Sequence, residues 1–134
     1  MILFLRGLFL VVLASMLAVT TWASLQCPLF GVPRAVATHP WFIATLFDTY
    51  WAFMAFFLWV CFKQPAISAR LAWFVSIMLL GNIAIAAYCL RELFSVSRTE
   101  PLSTVVTRQR ESFDVLGSLL AIAGVGVIVW ATLA

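Results

Sequence analysis

Four long apolar stretches, at about residues 2–24, 41–62, 70–91 and 113–133, constrain this chain more than anything else in it. A helix needs roughly 20 predominantly apolar residues to cross a hydrocarbon core of about 30 Å, and every stretch reaches that length. Proline provides an independent check, because inside a helix it removes a backbone hydrogen bond and clashes with the preceding turn. Pro28, Pro33, Pro40, Pro65 and Pro101 all fall between the stretches. The chain is 65% hydrophobic and 10% charged, where soluble domains carry about 45–50% apolar and about 25% charged residues. Such a chain has too little polar surface to face water. The expected fold is an all-α integral membrane protein, one domain over 1–134 forming a four-transmembrane-helix bundle.

The first stretch has a second reading. Arg6, an apolar run and Thr21-Trp22-Ala23 resemble a secretory signal with a small-residue cleavage site. The run is long for a signal, and the remainder is itself membrane-directed. A retained helix is expected, with three helices remaining if it is cleaved. In the third connection, about 94–112, Pro101 precedes Leu102, Val105 and Val106 at helical spacing. A short helix lying on a membrane surface and a plain polar loop both remain open there.

An even number of spans would put Arg34, Arg91, Arg98, Arg108 and Arg110 on one side, and Arg6, Lys63, Arg70 and the terminal amine on the other. Five against four leaves the orientation undecided. The net charge of +3 sits between apolar runs, in no basic tract. This places the basic residues at helix ends and headgroups and excludes nucleic acid as a partner. Cys27, Cys61, Cys89 and the single His39 have no metal-ligand spacing, so neither a metal nor a cofactor is expected. Cys27 and Cys89 fall near one side under this topology; free buried thiols are expected, with a disulfide as the alternative. Catalytic signatures such as GxSxG, HExxH or a glycine-rich phosphate loop are missing from the sequence.

Between transmembrane helices, close contact at small residues drives association. Ala14 and Ala18, then Ala44, Asp48, Ala52 and Ala55, then Gly81 and Ala84, then Gly117, Ala121 and Gly124 each lie on one helix face. These seams are expected to face the bundle, leaving Phe53, Phe56 and Phe57 for lipid or for gaps. Trp22, Trp41, Trp59 and Trp130 near the run ends suit an interfacial belt.

Asp48 is the acid well inside a run, at a cost of about 2.5–3.5 kcal/mol near a bilayer centre on insertion scales. Measured from the shared connection, Asn82 in an antiparallel neighbour falls within roughly 4–5 Å of the same depth. A hydrogen bond between Asp48 and Asn82 is therefore feasible, with Tyr50, Thr45 and Tyr88 as further neighbours. The intramembrane polar candidates are Asp48, Asn82, Tyr50 and Tyr88. Interhelical glue and proton or ligand carriage are both open to Asp48, with glue favoured.

The segment His39-Pro40-Trp41, Ala44-Thr45-Leu46, Asp48 and Tyr50, followed by Trp59-Val60 and Lys63, resembles the family called domain of unknown function 1475. Trp73, Gly81, Tyr88, Leu93-Phe94 and Pro101 extend the likeness over about residues 38–110; Gln64 departs from the acid expected after Lys63. The resemblance implies a small multi-helix membrane protein and brings no established activity. The expected role is a non-enzymatic accessory or assembly subunit acting by helix association, with the bilayer, other membrane proteins or a second copy as partners. The alternatives are a carrier of protons or small lipophiles using Asp48, and a membrane enzyme on a lipid or isoprenoid.

Overall fold

A computed structural model describes residues 1–111 and 114–133, and these form helices and connections only. The elements are α1 (Ile2–Gln26), α2 (Arg34–Ala37), α3 (Pro40–Lys63), α4 (Ile67–Leu80), α5 (Asn82–Phe94), α6 (Leu102–Thr107) and α7 (Val115–Leu133). Among them α1, α3 and α7 are long and apolar enough to cross a membrane. The boundaries follow the sequence closely. Pro40 opens α3 at a position where its missing N–H costs nothing. The start of the fourth stretch at Phe113 lies outside the described residues.

The third stretch departs from expectation. It is not one helix but two, α4 of 14 residues and α5 of 13, joined at Gly81. Gly81 has φ 54° and ψ −127°, a conformation that a side chain disfavours and glycine adopts freely. The two helices then fold back along each other. Tyr50 and Phe57 of α3 meet Met78 and Phe74, so α4 runs opposite to α3. Phe56 meets Tyr88 and Lys63 meets Glu92, so α5 runs alongside α3 in the same sense. Only an antiparallel hairpin satisfies both. The described residues therefore hold three helices of spanning length where four were expected.

Two further contacts set the remaining helices. Arg6 near the start of α1 donates to the carbonyls of Leu93 and Val96 at the end of α5, so α1 opposes α5. Gly117 and Gly124 of α7 pack on Trp73 and Leu79 of α4, so those two run in parallel. A side chain at Gly117 would put its Cβ 2.8 Å from the Trp73 indole nitrogen, which is why this approach needs glycine. Residues 6, 63, 92 and 114 thus gather at one end, the Lys63 end. The opposite, Pro40 end carries α2 and the exposed Trp22, Trp41 and Trp130.

The core sits in the half nearer Lys63. Phe53, Val60, Trp73, Ile77, Ala84 and Tyr88 form its buried centre. Gly81 lies against Phe53, roughly 15 Å along α3 from Lys63, so the hairpin reaches only about half the length of α3. Beyond it the Pro40 halves of α1 and α3 are largely exposed. The seams divide accordingly. Ala84, Gly117 and Gly124 are buried as expected, whereas Ala14, Ala18, Ala44, Asp48, Ala52 and Ala55 face outward. α3 instead turns its aromatic residues inward, where Phe53, Phe56 and Phe57 fill the core. α6 forms as a short helix, and Leu102 and Val105 cover Ile2, Leu93 and Val96 at the Lys63 end.

Candidate functional site

The polar chemistry concentrates at the Lys63 end, where the last turns of α3 and α5 meet the segment before α7. Lys63 is fully buried and Glu92 only 2% exposed; the Lys63 ammonium donates to the Glu92 carboxylate and to the Val105 carbonyl. Glu92 also accepts from Arg91 at 2.9 Å, and Arg110 stands 3.7 Å away. Arg91 pairs in addition with Asp114, joining α5 to the start of α7. A carboxylate buried this deeply is tolerable only because cations surround it.

Asp114 holds three groups at once. Its carboxylate accepts from Arg91, from the Trp73 indole N–H at 2.6 Å and from the Gly117 backbone N–H at 3.0 Å. The last contact is a helix N-cap, satisfying an amide that has no partner in the first turn of α7. Ser76 of α4 adds a hydrogen bond to the Gly117 carbonyl at 2.9 Å.

Aromatic rings line the inner side of this charge cluster. Tyr88 stands edge-on to Trp73 at 4.8 Å, to Trp59 at 5.5 Å and to Phe56 at 5.8 Å. The Arg91 guanidinium lies 4.8 Å from the Tyr88 ring and 5.1 Å from that of Trp73, and the Lys63 ammonium 5.2 Å from that of Trp59. Such cation–ring contacts favour charge where water is excluded. The Tyr88 hydroxyl and the Gln64 amide are buried beside one another and hydrogen-bond to no other described residue. Chemically, the arrangement is a clamp of paired charges that fastens the open end of the hairpin to α3, α7 and the 108–110 segment.

Of the four expected polar candidates, the structure brings only Tyr88 into this cluster. Asp48 and Asn82 are both exposed, and no hydrogen bond joins them; Asn82 sits at the hairpin tip and Asp48 on the outer face of α3. The depth match itself survives, because α4 runs antiparallel to α3 as far as Leu80 and the turn comes only at Gly81. What fails is direction, since Asp48 is on the exposed face of α3 and Asn82 on the exposed tip. Tyr50 approaches the Met78 carbonyl at 3.5 Å, near the tip. Thr45 bonds to Trp41 within its own helix. Cys27 is exposed at the Pro40 end and Cys89 buried toward the Lys63 end, both as free thiols, so the disulfide alternative does not arise.

Lys63, Arg91, Glu92 and Asp114 were not singled out from sequence, because each lies at the edge of an apolar run, where a charge ordinarily reaches water. One sequence signal did point here: Lys63, Trp73, Gly81 and Tyr88, on which the family likeness rests, converge on the clamp and the hairpin.

No curated protein and no solved structure matches the chain. The family model described as protein of unknown function (DUF1475) matches residues 1–133, well beyond the part on which the likeness was first read. With nearly its whole length matched, the chain belongs to the DUF1475 family.

Proposed function

We propose that this is a multi-pass membrane protein with three spans and one re-entrant helical hairpin, acting as an assembly subunit through the outer face of α3. The bilayer reading is supported by the lengths of α1, α3 and α7 and by the exposed tryptophans at their Pro40 ends. Three spans put the ends of the chain on opposite sides. Seven of the eight basic residues, Arg6, Lys63, Arg70, Arg91, Arg98, Arg108 and Arg110, then share one side with the clamp, leaving Arg34 on the other. The positive-inside rule assigns the Lys63 end to the cytoplasmic face.

One observation carries the assembly role. Asp48 lies in the apolar body of α3, roughly 12 Å from its Pro40 end, and points away from the bundle. Ala44, Ala52 and Ala55 share that outward face, so a second helix can approach closely enough to cover the carboxyl. Lipid alone would leave it at a cost of about 2.5–3.5 kcal/mol. The partner helix belongs to another membrane protein or to a second copy. Carriage of protons by Asp48 lacks this support, since Asp48 does not line the cavity between the Pro40 halves of α1, α3 and α7.

Native gel electrophoresis of mildly solubilised membranes tests the reading. The parent chain is expected in a complex larger than the monomer, Asp48→Asn should retain it, and Asp48→Leu or Ala52→Phe should shift it to the monomer. A parent that runs as a monomer, or a complex indifferent to both Asp48→Leu and Ala52→Phe, overturns the proposal.

A further inference from the structure

Because the hairpin stops at half the length of α3, it leaves a space above its tip between the Pro40 halves of α1, α3 and α7. That cavity has a volume of about 650 Å³, within the roughly 300–1,000 Å³ typical of small-molecule sites. Its floor is the turn itself, with Gly81 and Asn82, and its walls are mostly aliphatic, including Leu17, Leu46, Leu120 and Val127. Thr20, Thr21 and Ser24 bring hydroxyls to one wall through the last turns of α1, toward the opening, while Thr49 and Tyr50 bring theirs near the floor. Among the described residues, no Asp, Glu, Lys, Arg or His lines it.

We propose that this vestibule binds one neutral, single-chain lipophile bearing a hydroxyl or ester head, entering from the leaflet on the Pro40 side. Three features select that class. The depth from hairpin tip to the Pro40 end is about 20 Å along α3, one leaflet of hydrocarbon (about 15 Å) and part of its interface, so a single hydrocarbon chain with its head group fills it lengthwise. The hydroxyl collar on α1 meets a head group that donates or accepts hydrogen bonds. An uncharged lining gives an ionised head no counter-charge, and burying an unpaired charge is far costlier than burying a hydrogen-bonded hydroxyl. The site is independent of the α3 outer face, since Thr49 and Tyr50 line it and Asp48 does not.

Trp130 lines the vestibule and serves as the reporter. The full-length chain in detergent is titrated with a brominated monoacylglycerol, which quenches indole fluorescence on contact, and Trp130→Phe identifies the Trp130 contribution. Saturable quenching at one equivalent is expected, weakened at least tenfold by Ala123→Phe or Thr20→Phe, which fill the space from two different helices. Ile122→Phe, on an exposed position outside the lining, should bind as the parent does, and brominated oleate at least tenfold more weakly. Quenching that never saturates, that survives both filling variants in folded protein, or that is as strong for the oleate overturns the proposal. Asp48→Leu should leave the titration unchanged, which separates this outcome from failure of the assembly reading.

Discussion

The rings of Trp73 and Tyr88 stand 4.8 Å apart, edge to face, although both lie in one unbroken apolar run. A straight helix through that run would separate them by roughly 22 Å. The contact exists because Gly81 reverses the chain between them, and the number of spanning-length helices among the described residues, the gathering of charges at the Lys63 end and the space above the hairpin tip all follow from that turn.

Gly81→Ala should therefore destabilise the protein by about 1–3 kcal/mol from backbone strain alone. The added Cβ would also meet Phe53 Cζ at 2.8 Å. Gly81→Ala combined with Phe53→Leu relieves the clash but not the dihedral, so it should recover only part of the loss. Thermal unfolding in detergent measures both; a Gly81→Ala variant as stable as the parent would contradict the turn.

In the clamp, removing one partner strands the other. Lys63→Met leaves Glu92 buried with fewer cations and should cost about 3–5 kcal/mol. Lys63→Met with Glu92→Gln removes both charges of the pair and should cost less than the two single changes added together, as chemical denaturation in detergent would measure.

Asp114 combines a cap with an ion pair, and two substitutions separate the roles. Asp114→Ser keeps an oxygen for the Gly117 N–H and loses the charge facing Arg91. Asp114→Ala loses both, and should be less stable than Asp114→Ser by about 0.5–2 kcal/mol, the usual worth of a cap. Equal stabilities would show that the cap contributes nothing.

Sidedness is readable at native cysteines. Cys27 is exposed at the Pro40 end and Cys89 is buried. A membrane-impermeant maleimide applied to intact cells should label the parent and fail to label Cys27→Ser. Ser97→Cys in a Cys27→Ser background should react only after permeabilisation. Labelling of Ser97→Cys in intact cells would reverse the assigned orientation.

The sequence by itself determined the apolar length of the helices and most of their ends. Apolar length and proline placement act locally, so the ends of α3 at Pro40 and Lys63 emerge close to where the chain predicts them, while the helix beside Pro101, left open against a loop, was settled by the structure. Only the tertiary structure decided the path of the third run, because hydropathy is the same for a helix that continues and one that doubles back. That one turn left three helices of spanning length among the described residues where four were expected, and it sent Cys27 and Cys89 to opposite ends. It also gathered seven basic residues where five against four had been counted. Which face of α3 turns inward was likewise not a local matter. Both its alanine stripe and its phenylalanine stripe can pack, and the choice fell to Trp59, Trp73 and Tyr88, whose rings offer more contact area than alanine. Asp48 was left outside as a result, and the buried charges appeared instead at Lys63, Arg91, Glu92 and Asp114, run-end residues made interior by the segment folded over them.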